Sequence, residues 1–216
     1  MNLIILVLFT QLAVVYLDNY SNINLFFNNL KANKTAHAYT SRTRLLLFTR
    51  TLFFITPPIL GYLVINEPFF KILMLFFLAC LITFFVTFLQ YVFFFKQIKL
   101  AFFSHLAMFA FKNYKNIYLY IGLIAFSIFL ISPFLVNFIA AIFPKQALFL
   151  VQMNPIITSV STFYVVLYMD PKISKSVDSD RDVQDELIES VFVRLVGRFL
   201  ITIVALVCII YFTRLT

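Results

Sequence analysis

The sequence predicts an all-α, polytopic integral membrane protein, a single transmembrane domain over residues 1–216 with about six transmembrane helices and a short interfacial helix. Two observations carry that expectation. The chain is 62% hydrophobic and only 12% charged, which is more apolar surface than one globular core can hide. Its apolar residues also fall in runs long enough to cross a hydrocarbon core, which takes about 20 residues at roughly 1.5 Å each. The charges gather between those runs, so the net charge of +8 follows membrane orientation, and no nucleic-acid partner is expected. Phe reaches 30 residues while Trp is absent, a bias that suits lipid-facing positions.

The first span is read over 3–27. Leu3 onward lacks a basic n-region and a small-residue cleavage site, so a retained helix is expected and not a signal peptide. Gln11, Asp18 and Asn22 share one helical face within it. A carboxylate that far inside an apolar run is neutral, paired, or reaches water from a helix end; by default it marks a functional site.

Asn28 to Arg44 reads as a basic connector, and 45–64 as the second span. Thr40-Ser41-Arg42-Thr43-Arg44 runs directly into apolar sequence carrying Arg50 between Thr49 and Thr51. A guanidinium there costs at least about 2.5 kcal/mol on insertion scales. It either snorkels to headgroups or faces a polar cavity and awaits an acidic partner or an anionic ligand. Pro57-Pro58, with Gly61, predicts that the helix kinks or ends its regular ladder near Thr56.

The third span, 69–95, is almost featureless apart from Lys71 and Gln90 and reads as lipid-facing scaffold. Residues 96–115, basic at both ends around a short apolar centre, read as an interfacial helix. The fourth span, 117–142, contains Pro133. The fifth, 147–169, carries Gln152, Asn154, Thr158, Ser159, Ser161, Thr162 and Tyr164, too many polar groups for a lipid-facing helix, and Asp170-Pro171 is expected to end it. Lys172 to Glu189 is a charged connector with seven ionisable residues from Asp178 to Glu189, most of them expected on a solvated face with acids at a helix start. In the sixth span, 191–212, the residues Ser190, Arg194, Arg198 and Thr202 recur at four-residue intervals and share a face. Cys80 and Cys208 lie inside apolar spans, with neither disulfide nor zinc spacing.

Lysine and arginine asymmetry orients the six spans. Lys31, Lys34, Arg42, Arg44, Lys96, Lys99, Lys112, Lys115, Lys172, Lys175 and Arg181 oppose Lys71, Lys145 and Arg214, which places both termini outside the cytoplasm. Asp18, Arg50 and Arg198 then lie at one depth on three helices, about two turns from the cytoplasmic boundary.

Those same stretches resemble the Amj family of alternate lipid II flippases. Leu17-Asp18-Asn19 is similar to the family's Ile-Asp-Thr, and Thr49-Arg50-Thr51 with Pro58-Ile59-Leu60-Gly61 to its Ser-Arg-Thr and Pro-Leu-Leu-Gly. Thr158-Ser159-Val160-Ser161-Thr162 before Asp170-Pro171 resembles its Asn-Gly-Ile-Ala-Thr stretch before Asp-Pro, and Leu195-Val196-Gly197-Arg198 its Val-Gly-Ser-Arg. Phe53 and Thr56 stand where the family has Asn and Gln.

The resemblance implies a bacterial inner-membrane flippase, not an enzyme, that carries a lipid-linked oligosaccharide among membrane lipids with no cofactor or metal. For an undecaprenyl-pyrophosphate sugar, Arg50, Arg194 and Arg198 would hold the pyrophosphate, because guanidinium binds such oxygens bidentately. Arg42 and Arg44 would gather it at the cytoplasmic mouth. Asp18 would pair with Arg50 or Arg198 when the site is empty, and Gln11, Gln152, Asn154, Thr158, Thr162 and Asp170 would line a polar cavity. A homodimer is one assembly the sequence allows. Rival expectations are a flippase for another undecaprenyl-pyrophosphate glycan, a channel or scaffold subunit, and an enzyme of lipid-linked substrates, for which only Asp18 and Asp170 supply acids near the membrane interior.

Overall fold

The computed structural model describes residues 3–31, 35–97, 101–113, 115–178 and 184–214. Lys34, Lys99 and Arg181, which enter the orientation reading, lie outside the described residues, as do parts of the predicted connectors and of the predicted interfacial segment. Among the described residues the regular structure is helical throughout. Five stretches are long and apolar enough to cross a membrane, and a bent pair of helices makes a sixth if it is one broken span. The protein is thus an all-α polytopic membrane protein.

The first span consists of α1 (Leu3–Asn19), a π-helical turn (Tyr20–Leu25) and α2 (Phe26–Lys31). The helix α3 (Thr35–Phe53) begins well before Leu45, so the basic stretch around Arg42 and Arg44 is helix and not connector. Its hydroxyls make this possible: Thr40, Ser41, Thr49 and Thr51 each donate to the carbonyl one turn back, which removes them as competitors for backbone groups elsewhere. The chain breaks at Phe54-Ile55 and resumes as α4 (Thr56–Asn66). Pro57 and Pro58 sit in its first turn, where a missing N–H costs no ladder bond, so the regular ladder ends near Thr56 as expected.

Next come α5 (Phe69–Gln97) and α6 (Phe102–Asn113). The latter buries Phe102, Leu106 and Phe109 and exposes Phe103, Met108 and Phe111. The predicted fourth span is not straight: α7 (Ile117–Ile128) and α8 (Ser132–Ile142) meet at a bend of 70°. The fifth is α9 (Ala147–Gln152), α10 (Asn154–Tyr164), a second π-helical turn (Val165–Met169) and α11 (Asp170–Asp178). Asp170-Pro171 therefore opens a helix instead of ending one, because proline is tolerated in the first turn that follows the π turn. Finally α12 (Gln184–Thr213) starts ahead of Val191, with Asp185 and Glu186 in its first turn, where the helix dipole favours acids.

Among the described residues, packing forms two large apolar clusters with a polar layer between them and a small third cluster around Val14, Val15 and Leu130. Ile23, Phe26, Phe94, Phe95, Leu187 and Val191 belong to one cluster; Val7, Leu73, Phe76, Phe134, Ile201 and Ala205 belong to the other. The polar layer lies near mid-length of the spans Leu3–Leu30, Phe69–Lys96 and Gln184–Thr213. Arg198 stands about 21 Å along α12 from its start at 1.5 Å per residue, deeper than two turns, because the helix extends past the apolar run. At the crossing of α12 with α7, a Cβ on Gly197 would lie 2.7 Å from the Leu123 carbonyl oxygen. The two backbones approach that closely only because the residue is glycine, and Ser127 Oγ donates to the Gly197 carbonyl at 2.8 Å across the contact.

Candidate functional site

Asp18 is the focus of the polar layer. Its Oδ2 accepts hydrogen bonds from Arg194 Nη1 at 2.8 Å and Arg198 Nη2 at 3.1 Å, and its Oδ1 accepts from Asn22 Nδ2 at 3.1 Å. The four-residue spacing on α12 brings both guanidinium groups to one carboxylate. All three charged residues are buried, Arg198 at 0% exposure. Asp18 sits where α1 gives way to the π turn, and Ser21 and Asn22 both donate to its backbone carbonyl. One carboxylate against two guanidinium groups leaves a buried positive charge. The Phe126 ring lies 4.3 Å from the Arg194 guanidinium carbon, a cation–π contact, and Asn19 and Thr87 accept from Arg198 Nη1.

The expected pairing is thereby resolved and in part corrected: Asp18 meets Arg198 and also Arg194, and it does not meet Arg50. A further correction concerns α5. Far from being lipid-facing scaffold, it buries Thr83, Thr87 and Tyr91. Asn19 Nδ2 donates to Thr87 Oγ1 at 3.2 Å and Gln90 Oε1 at 2.8 Å, while Tyr91 donates to Asn19 Oδ1 at 3.2 Å. Thr83, Thr87 and Gln90 recur at helical spacing, and that stripe is the signal that could have identified this face.

Arg42 forms the second group. Its Nε donates to Asn22 Oδ1 at 3.0 Å, its Nη1 donates to Asp170 Oδ1 at 2.9 Å, and its guanidinium carbon lies 4.7 Å from the Phe26 ring centroid. Asn22 consequently joins the two groups, donating to Asp18 and accepting from Arg42. Arg50 is different. It is exposed, and its recorded hydrogen bond is a long 3.5 Å contact to Thr162 Oγ1.

A cavity of 570 Å³ connects these groups. Asp18, Arg42, Arg50, Asn154, Thr158, Thr162, Asp170 and Arg194 line it, with Thr43 and Thr49 from α3 and Phe129 and Leu130 from the bend between α7 and α8. Four other predicted site residues lie elsewhere. Arg198 is behind the wall, held by Asp18, Asn19 and Thr87. Gln11 is buried and donates to Thr83 Oγ1 at 2.8 Å and the Leu130 carbonyl at 3.0 Å. Gln152 is exposed at the end of α9. Arg44 lines a separate surface depression with Tyr20, His37, Thr40 and Ser41.

The two sides of the cavity differ in chemistry. Arg42, Arg50 and Arg194 present only donors and positive charge. On α10, Thr158, Ser159 and Ser161 donate to their own helix carbonyls, so what they offer a ligand is lone pairs. The buried Asn154 Oδ1 has no hydrogen-bond partner among the described residues. Among those same residues, no group of three or more His, Cys, Asp or Glu could hold a metal ion.

Two of the ionisable residues in the connector, most of them expected on a solvated face, are buried. Glu189 is 1% exposed and paired with Lys172, and the buried Glu186 accepts from Ser176 at 2.7 Å. These acids precede the apolar run yet pack against α11, a tertiary contact that local spacing does not encode. Fold and site together define an all-α polytopic membrane protein with a buried carboxylate–diguanidinium cluster beside an intramembrane cavity. No family model, curated protein or solved structure matches the chain.

Proposed function

We propose that the protein is a flippase, moving a lipid-linked cell-wall precursor, in the first instance lipid II, from the cytoplasmic to the outer leaflet of the bacterial inner membrane for peptidoglycan synthesis and cell shape. The observation that carries this reading is the division of the cavity into a cationic donor side, Arg42 and Arg50 on α3 and Arg194 on α12, and an acceptor side on α10. A pyrophosphate is all acceptor and negative charge. The sugar next to it presents hydroxyl and amide donors. An undecaprenyl-pyrophosphate sugar therefore matches both sides at once.

Charge balance supports the same ligand class. Arg42, Arg50, Arg194 and Arg198 stand against Asp18 and Asp170 around the site, leaving an excess of positive charge that an anion would compensate. The volume of 570 Å³ falls within the range of about 300–1,000 Å³ usual for small-molecule sites, which suits the pyrophosphate and its adjoining sugar. α3 and α10 flank the cavity without close packing between them, and Leu47, Phe54, Phe163 and Val166 are exposed along that line. The prenyl tail would stay in lipid there while the headgroup crosses. In this reading Arg198 orients Asp18 and does not touch the ligand, and the motif resemblance to the Amj flippases points the same way.

The test is reconstitution of the purified protein into liposomes, with leaflet-specific readout of lipid II beside a capsule or O-antigen intermediate. Protein-dependent movement of lipid II is the expected result. Movement of the other glycolipid alone would reassign the cargo. Ion leak without lipid movement would make the protein a channel, and neither activity would leave a scaffold.

A further inference from the structure

We infer that the Arg42–Asp170 ion pair is a ligand-operated latch, which closes the cavity toward one end of the helix bundle when the site is empty and is released when an anionic headgroup takes the place of Asp170 on Arg42. The inference rests on the reading of the cavity as a site for a pyrophosphate-bearing lipid.

The partition is visible in what lines each side of the pair. Asn22, Arg42, Asp170 and Arg194 are common to the 570 Å³ cavity and to a chamber of about 20 Å³. Of the residues that line only the chamber, Phe26, Phe27, Ile173 and Ser190 lie about one turn beyond the shared ones on the first span, α11 and α12, and Met169 adjoins Asp170. Most residues that line only the cavity, such as Val14, Leu130 and Thr162, lie on the other side, Tyr39 on α3 being an exception. The ion pair therefore stands as a septum between the two spaces, and the chamber beyond it, walled largely by apolar side chains such as Phe26, Phe27 and Met169, has room for about one water.

Three features make the septum movable. Arg42 links two helical segments at irregular points: Asn22 lies inside the π turn Tyr20–Leu25, and Asp170 directly follows the π turn Val165–Met169. Such turns are frequent at functional sites. Among the described residues α3 and α11 are not closely packed on each other, and their tie includes this pair and a 3.2 Å hydrogen bond between the Tyr39 and Ser174 hydroxyls. Finally, the two partners are unequal: the Arg42 side chain is 10% exposed and that of Asp170 is 30% exposed. Asp170 can leave for water, whereas Arg42 stays held by Asn22 and Phe26 and exchanges one anion for another. A phosphate oxygen competes well, because it offers the same charge-assisted hydrogen bond.

The test uses full-length protein in detergent, in a Cys80→Ala, Cys208→Ala background, with the thiol introduced by Ser190→Cys as reporter of the chamber. The measurement is its reaction rate with a small methanethiosulfonate reagent, with and without inorganic pyrophosphate. Labelling is expected to be slow in the empty parent and about tenfold faster with pyrophosphate, the factor by which loss of one charge-assisted hydrogen bond shifts a two-state balance. Asp170→Asn is expected to label fast without pyrophosphate and to gain nothing from it. Asp170→Glu, which keeps the charge, is expected to stay slow, and this guards against reading a folding defect as opening. Asp170→Asn labelling as slowly as the parent would overturn the latch itself, whatever the flipping assay reads. Fast Asp170→Asn with a parent indifferent to pyrophosphate would overturn the ligand-operated step. A responsive latch in a protein that flips no lipid would support the inference and contradict the proposed function alone.

Discussion

Asp18 shares its carboxylate with two arginines at 3% and 0% exposure, so each residue in the cluster has a distinct expected cost of removal. Asp18→Asn leaves two guanidinium groups facing each other without compensation, and breaking such a buried pair typically costs about 3–5 kcal/mol. The expected outcome is a large drop in detergent melting temperature. Removing Arg194 or Arg198 in the same background should recover part of it, since the unpaired excess falls. A double-mutant cycle checks this: coupling is expected between Asp18→Asn and Arg194→Gln or Arg198→Gln, and additivity with Arg50→Gln, whose side chain does not reach the carboxylate. Coupling to Arg50 with none to Arg194 would contradict the geometry. A charge inside an apolar run stands out, and for that reason Asp18, Arg50 and Arg198 are legible in the sequence. Their pairing is not, because it depends on how each helix is rotated about its axis, which packing decides and local periodicity does not. Asn22 shows the same limit. Its place on the stripe is readable, but its role as the amide joining Asp18 to Arg42 needs the tertiary contact.

At the scale of elements, the crossing of α7 with α12 depends on one missing side chain. Gly197→Ala would set a methyl 2.7 Å from the Leu123 carbonyl oxygen and 3.0 Å from the Ser127 backbone nitrogen, atoms that cannot swing away. The helices must separate, and the variant should melt lower than the parent by an amount equivalent to about 1–3 kcal/mol, the usual cost of overpacking. Gly61→Ala is the matched control. Nothing lies within 4 Å of a Cβ there, and alanine in a helix interior is favoured over glycine by about 0.5–1 kcal/mol, so that variant should melt at or above the parent. Equal effects would contradict the close approach. The helices themselves are largely legible from hydropathy, since each apolar run lies in a helical stretch. Their ends are less so: hydroxyl back-bonding carries α3 through Thr40 and Ser41, and the π turn carries the fifth span through Asp170-Pro171. The 70° bend at α7 and α8 exceeds anything that Pro133 alone announces, because Ser132-Pro133 begins a new helix instead of kinking an old one.

That bend governs the whole molecule, since it decides how many times the chain crosses. As one broken span it puts Lys112 and Lys145 on opposite faces of the membrane; as a re-entrant loop it puts them on the same face and the two termini on opposite ones. The positive-inside distribution favours the crossing. Single cysteines replacing Lys112, Lys145 or Lys175 are expected to separate under an impermeant thiol reagent in whole cells, with position 145 labelled and positions 112 and 175 protected. Labelling of 112 together with 145 would overturn the six-span topology. In the proposed function the exposed Arg50 guanidinium in the cavity grips the ligand while the buried cluster beside it holds the fold. The most direct measurement is the lipid II flipping rate in liposomes for Arg50→Lys and Arg50→Gln, taken on protein whose melting temperature is recorded first. Both variants are expected to melt like the parent, because Arg50 is exposed and its hydrogen bond to Thr162 is long. Both are also expected to lose most of the flipping, lysine included, since a point charge lacks the planar fork that holds two phosphate oxygens. Parental flipping by either variant at parental stability would contradict the claim.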